Sequence, residues 1–401
     1  IEKWSNIMVD ISYIKNIAVV GAGTMGREIA QVALMAGFEK VFLFSRSIET
    51  ITKAKNFIEN GLKKLKSKDK LDKGVSPEAL MKNLILNRDI KKTVENADFV
   101  IESVPENMDL KQDIFNKLGN FAPKHAILAT NTSTMSITKI AGASGRADKV
   151  VGMHFFTPIV VLRLIEVIKG ANTSQETFDI SIKVGEKLPA LKGKRYIAKI
   201  EKESPGFIVN RLTISTSVYL NWLLDMAMEK GIPIETIDND VVSYPAIGPF
   251  AKWDYFGIDV VCDTRNYFAK ELSPEFAPGK NLRTLLKEGN LGKKTGKGLY
   301  EWKEGKHIIK SNQKANIFNL ELYNAIQLNE GCRLLEEGIV SSYKIIDDTM
   351  MAGMDMPGPF EAGKNNYKKW SKLLEDFAQK SGIDYLKPCD LMKSGEFINM
   401  Q

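Results

Sequence analysis

Gly21-Ala22-Gly23-Thr24-Met25-Gly26 stands directly after the apolar run Asn16 to Val20 and directly before the helical pattern Ile29, Ala30, Ala33 and Leu34. Each glycine in this spacing has its own task. The first permits a tight turn, the second lets a pyrophosphate approach the backbone, and the third lets helix and strand pack closely. Unpaired amides at the start of the helix then attract the phosphates. The alternative, a glycine-rich turn without a ligand, is disfavoured by the strand and helix that flank it. Gly21, Gly23, Thr24, Met25 and Gly26 are therefore assigned to a dinucleotide cofactor.

The motif calls for a parallel sheet wrapped by helices, and the next 180 or so residues have that rhythm. Short apolar runs at Val41 to Phe44, Phe99 to Ile101, Ala126 to Ala129 and Val150 to Met153 alternate with amphipathic stretches. Residues 1–13 have no periodicity and are expected to be an N-terminal arm; a Rossmann-type domain follows over 14–204. Near Pro205 the rhythm stops, and long helices with Gly and Pro punctuation take over. These helices repeat: Glu229-Lys230-Gly231-Ile232 is echoed by Glu336-Glu337-Gly338-Ile339, Ile237-Asp238 by Ile346-Asp347, and Gly248-Pro249-Phe250 by Gly358-Pro359-Phe360. The order is kept, which points to two related helical domains, 205–305 and 306–401. The expected class is α/β plus all-α.

Composition narrows the function classes. The chain has 401 residues, 44% of them hydrophobic, yet no uninterrupted apolar stretch of the roughly 18 to 20 residues that a membrane span needs. With no signal-peptide pattern at the start either, a cytoplasmic protein is expected. Cys262, Cys332 and Cys389 lie far apart and form no CxxC pair, so neither a disulfide framework nor a metal site is expected. The net charge of +7 comes from lysines scattered beside many glutamates, with no interleaved aromatic and basic patch of the kind that binds nucleic acid. The densest run is Lys63, Lys64, Lys66, Lys68 and Lys70.

The cofactor is NAD or NADP. An acid normally ends the second strand and holds the adenosine ribose hydroxyls, but this chain has Ser45-Arg46-Ser47 there. A neutral residue with a neighbouring Arg accommodates the 2′-phosphate of NADP. Stacking of Arg46 on adenine, or plain solvation, is the competing role.

Of three histidines, His125, His154 and His307, only His154 ends an expected strand, and in a doubly wound sheet that end faces the ligand crevice. Glu166 lies in the apolar run Leu164-Ile165-Glu166-Val167-Ile168, where an unpaired carboxylate is costly to bury. An imidazole would serve it. Hydride removal from an alcohol needs a base for the hydroxyl proton, and a carboxylate fixes the tautomer of that base. Asn131 and Ser133 follow another strand and are expected in the same crevice, with Asn210 at the start of the helical region. Singly, each of these residues is as well explained by a turn, a cap or a structural pair.

Together they carry a resemblance. GAGTMG (21–26), ESVPEN (102–107), NTSTMSIT (131–138), GMHFFTP (152–158), LIEVIKG (164–170), SPGFIVNR (204–211) and GKKTGKGLY (292–300) resemble the L-3-hydroxyacyl-CoA dehydrogenase family over about residues 15–302. The resemblance implies His154 as base with Glu166 as its partner, and Ser133 and Asn210 on the reacting oxygen or the thioester carbonyl. It also implies Glu106 and Lys111 near the nicotinamide ribose and Lys68 near the phosphates of coenzyme A. Three positions depart from the family pattern: Ser45 replaces an acid, Thr157 an Asn in the loop after His154, and Gly61 a serine that contacts coenzyme A.

The second helical segment is similar to the duplicated C-terminal domain of longer members, 3-hydroxybutyryl-CoA dehydrogenases of archaea among them. The implied substrate is a short (S)-3-hydroxyacyl-CoA, converted to the 3-oxoacyl-CoA. The implied assembly is a monomer with an internal pseudo-dimer, or a dimer through another surface. Two rivals stand beside it: a dehydrogenase of free hydroxy or sugar acids of the gulonate type, whose members share the His and Glu arrangement, and a non-enzymatic, crystallin-like nucleotide-binding protein that keeps the fold, against which the intact His154, Glu166, Ser133 and Asn210 argue.

Overall fold

A computed structural model describes residues 10–242 and 246–400, so residues 1–9 of the expected arm lie outside the described residues. The chain divides into two compact units. One comprises the residues up to Phe207 with 338–340 and 348–358; the other comprises 208–337, 341–347 and 359–400.

The first unit is built on an eight-stranded sheet: β1 (Asn16–Val20), β2 (Lys40–Phe44), β3 (Leu84–Asn87), β4 (Phe99–Glu102), β5 (Ile127–Thr130), β6 (Val150–Phe155), β7 (Leu164–Ile168) and β8 (Tyr196–Ile200), in the order β3-β2-β1-β4-β5-β6-β7-β8. From β3 to β6 all neighbours are parallel, and helices cross over between them. Strands covered on both faces read as continuous apolar runs, and Val19, Val41, Leu43, Ile101, Ile127 and Val151 are fully or almost fully buried. The expected parallel sheet thus makes up most of this unit, and beyond it β7 runs antiparallel to β6, with β8 parallel to β7. The strand that carries His154 also extends two residues further than Met153.

Two helices frame the cofactor end: α1 (Thr24–Met35) follows the glycine loop, and α2 (Ile48–Lys66) follows β2. Ser47 caps α2, accepting a hydrogen bond from the Thr50 amide at 3.2 Å. Residues 10–13 form a turn that delivers Ile14 into the core.

The first helical stretch and most of the second fall in the same compact unit. The helix Val209–Glu229 of the first stretch and Leu320–Glu336 of the second are joined by charge: buried Arg211 pairs with buried Glu330 and, at 2.8 Å, with Glu337. Arg333 at 3.2 Å and the Tyr385 hydroxyl at 2.8 Å complete the shell of Glu330. Burial alone would raise Glu330, but Arg211 and Arg333 hold it below the ordinary glutamate range.

The sequence echoes coincide with repeated hydrogen bonds. Asp238 accepts from the Phe250 and Ala251 amides at 3.0 and 2.9 Å, and Asp347 accepts from the Phe360 and Glu361 amides at 3.1 Å each. Asn221 accepts from the Gly279 amide at 2.9 Å, and Asn329 from the Cys389 amide at 2.8 Å. A short hairpin, Trp302–Lys303 with Lys306–His307, interrupts the helices where a fully helical region was expected.

Candidate active site

The glycine loop has the shape a dinucleotide requires. A Cβ on Gly21 would lie 2.3 Å from the Ser103 carbonyl oxygen, and one on Gly26 would lie 1.8 Å from that of Gly21. Both positions therefore exclude any side chain. Gly23 differs: a Cβ there would meet nothing within 4 Å, which leaves room for a pyrophosphate to approach the backbone. Gly23 also caps α1 without a side-chain acceptor, and no acid sits in the first turn, leaving the amides after Thr24 and Met25 to an anion. These residues fit the nucleotide.

The Gly21 amide donates to the Phe44 carbonyl at 3.1 Å, which sets the glycine loop against the end of β2. Ser45 follows, nearly buried, and its hydroxyl accepts from the Ser47 amide at 3.2 Å. The Arg46 side chain is exposed.

His154 and Glu166 are register partners across the antiparallel β6–β7 pair. His154 Nδ1 lies 2.7 Å from Glu166 Oε2, with Glu166 fully buried and His154 4% exposed. The spacing of twelve residues is thus the length of a hairpin that returns Glu166 to face the histidine. Phe156 and Phe207 tilt against the imidazole at centroid distances of 4.4 and 5.8 Å. The other two histidines sit elsewhere: His125 pairs with Asp98 at 3.0 Å on the surface, and His307 lies in the hairpin beside Tyr300 and Trp302.

The loop after His154 is tied down by a residue the sequence did not single out. Glu28 of α1 accepts from the Thr157 hydroxyl at 3.1 Å and from the Ile159 amide at 2.7 Å. Thr157 thus gives the loop a side-chain bond to α1.

Asn131 Oδ1 accepts from the Phe155 amide at 3.0 Å, which fixes the end of β5 beside the His154 strand. Glu106 accepts from the Ser133 amide at 2.6 Å and the Thr132 hydroxyl at 2.7 Å. Lys111, 1% exposed, is held between Glu102 at 2.9 Å and Glu106 at 3.0 Å. Burial alone would lower its ammonium, but the two carboxylates hold it above the ordinary lysine value. Glu102 is fully buried and also accepts from the Thr130 hydroxyl and the Val104 amide, at 2.6 Å each. Its signal in the sequence is related to that of Glu166: an acid that closes the apolar run Phe99-Val100-Ile101, where Glu166 sits inside one.

Two further expected residues belong to other elements. Asn210 is the second residue of the Val209–Glu229 helix, in the helical unit. Lys68 sits in the exposed turn that closes α2. Gly61 is explained by packing: a Cβ there would lie 2.7 Å from Gln31 Oε1 of α1, so the glycine admits the glutamine.

Residues 16–197 match the 3-hydroxyacyl-CoA dehydrogenase NAD binding domain, and residues 206–302 match the 3-hydroxyacyl-CoA dehydrogenase C-terminal domain. The mitochondrial hydroxyacyl-coenzyme A dehydrogenase of Rattus norvegicus is 35% identical over 297 residues, covering 72% of this chain and 92% of the relative. A probable 3-hydroxybutyryl-CoA dehydrogenase of Bacillus subtilis is also 35% identical over 297 residues, covering 73% and 98%. The crystal structure of 3-hydroxybutyryl-CoA dehydrogenase from Escherichia coli superposes with a TM-score of 0.80 over 96% of this chain and 99% of that one; at 24% identity it speaks for the fold, second helical segment included. Since the two domain models run in order across most of the chain and the glycine loop has the shape their cofactor needs, the chain belongs to the 3-hydroxyacyl-CoA dehydrogenase family, the NAD-dependent oxidoreductases of 3-hydroxyacyl-CoA.

Proposed function

We propose that the protein oxidises a short-chain (S)-3-hydroxyacyl-CoA, with 3-hydroxybutyryl-CoA as the type substrate, and that His154 is its acid-base residue. The observation that carries this reading is the buried 2.7 Å contact between His154 Nδ1 and Glu166 Oε2. An ionised carboxylate only accepts hydrogen bonds, so Glu166 keeps the proton on Nδ1 and leaves Nε2 with its lone pair. Nε2 takes the proton from the C3 hydroxyl as the C–H bond breaks. NAD, when bound, accepts the hydride. The positive charge that develops on the imidazole is then stabilised by Glu166.

Ser133 and Asn210 orient the reacting oxygen or the thioester carbonyl in this scheme. Glu106 and Lys111 shape the nicotinamide ribose end, and Lys68 meets phosphate of coenzyme A. The segment 306–401 is, in this reading, a second copy of 205–305, and the protein is cytoplasmic and either a monomer with an internal pseudo-dimer or a dimer through another surface. Among the described residues no helix is long and apolar enough to cross a membrane.

The test is the oxidation of NADH with acetoacetyl-CoA, followed at the nucleotide absorbance, beside free acetoacetate and longer 3-oxoacyl-CoA thioesters. Turnover of acetoacetyl-CoA well above the free acid supports the reading. Preference for the free acid, or no turnover at all, removes it.

A further inference from the structure

Arg88 follows β3 directly, and its Nε donates to the Arg46 carbonyl oxygen at 3.2 Å. Since β2 and β3 are parallel and paired up to Phe44 and Asn87, this bond brings two arginines to the same sheet edge. That edge is the adenosine end of the nucleotide site, because the Gly21 amide is bonded to the last residue of β2. Both arginine side chains are exposed, and among the described residues neither guanidinium has an acidic partner.

The neighbouring carboxylates are occupied. Glu49 in the first turn of α2 pairs with Lys53 at 2.5 Å. Asp89 accepts from the amides of Lys91 and Lys92 at 2.8 and 3.3 Å. An acid that would bind two ribose hydroxyls and repel a phosphate is absent from the end of β2, where Ser45 and Ser47 stand instead. Charge, geometry and hydroxyl groups all suit a dianion at this place. A bare ribose diol can be met there by the serine hydroxyls, but it would leave the charge of the two guanidinium groups uncompensated.

We infer that the adenosine end of this site takes a 2′-phosphate between Arg46 and Arg88, so that the enzyme uses NADP(H) beside NAD(H). The inference rests on the dehydrogenase reading above. Arg88 is fixed by its bond to the Arg46 carbonyl and presents its terminal nitrogens, while Arg46 closes from the side of β2.

Binding decides it without reference to turnover. Dissociation constants of NADH and NADPH are read from nucleotide fluorescence, and those of 5′-ADP and 2′,5′-ADP from calorimetry, on the full chain. The expected result is that 2′,5′-ADP binds at least about tenfold more tightly than 5′-ADP, the scale of a charge-assisted hydrogen bond. Arg46→Ala and Arg88→Ala each reduce that ratio by about tenfold, and Arg88→Lys restores part of it. Ser45→Asp selects against NADPH relative to NADH. Equal losses for both nucleotides in the arginine variants, or NADH binding with no affinity for NADPH, overturn the inference and leave the dehydrogenase reading standing. Failure to bind either nucleotide overturns both.

Discussion

His154 and Glu166 are partners in an antiparallel strand pair, so the acid-base couple is made by backbone register as much as by side chains. The imidazole cannot turn without breaking a 2.7 Å contact to a carboxylate that water does not reach. His154→Ala should lower turnover by roughly 10² to 10⁴, the contribution of a positioned general base, while NADH affinity changes little. Glu166→Gln should lower it too, since the neutral amide no longer stabilises the imidazolium. Steady-state kinetics with fluorescence titration checks both, and near-normal turnover of His154→Ala removes that residue from the mechanism.

Lys111 is the only cation within reach of buried Glu102 among the described residues. Lys111→Met leaves that carboxylate uncompensated, a loss of about 3 to 5 kcal/mol for breaking a buried pair. Glu106 is 38% exposed, so Glu106→Gln should cost far less, about 1 kcal/mol or below. Urea denaturation of the two variants compares them; equal losses would mean that burial does not govern this triad.

Asp238 gives the helical unit a pH dependence with a definite sign. Burial raises its carboxyl from 3.8 to about 6, outweighing the lowering by the Tyr300 hydroxyl and the Phe250 and Ala251 amides. Folding therefore favours the protonated form. Its contribution is full below about pH 3.8 and is lost as the pH rises through about 6. The difference converts to on the order of 3 kcal/mol. Asp238→Asn cannot ionise, so the stability of wild type minus variant should fall by that order between about pH 4 and pH 7. A flat difference across the range would show that the carboxyl titrates normally.

Glu330→Ala removes the nearest partner of Arg211 and should destabilise the helical unit by about 3 kcal/mol or more. Truncation after Trp302 goes further, removing Glu330, Glu337 and Arg333 together with the apolar faces of their helices. The shortened chain should dimerise or aggregate through the face so exposed, whereas the full chain should not associate through it. Light scattering on both reads the outcome, and a shortened protein that stays soluble and monomeric rules out an internal pseudo-dimer.

What the sequence disclosed is what local pattern controls. The glycine loop, its strand and its helix lie within twenty residues, and each obeys a period that needs no partner to be seen. The His154–Glu166 couple was legible because an acid in an apolar run demands a counterpart. β3 was not, since all four of its residues are only half-buried and its apolar signal is short. The reversal of β7 was hidden as well, because strand periodicity is the same in both directions. Glu28, Arg88 and Gln31 acquire their roles from contacts with distant segments, and no spacing announces those.

The Arg211 network has a further consequence in terms of mass action. Its two acidic partners lie 119 and 126 residues further along the same chain. An interface between separate subunits dissolves on dilution, whereas this one is formed at a local concentration set by the connecting polypeptide. Charge compensation of the guanidinium beside Asn210 is then independent of how much protein the solution contains, and specific activity should stay constant down to the lowest concentration that can be assayed.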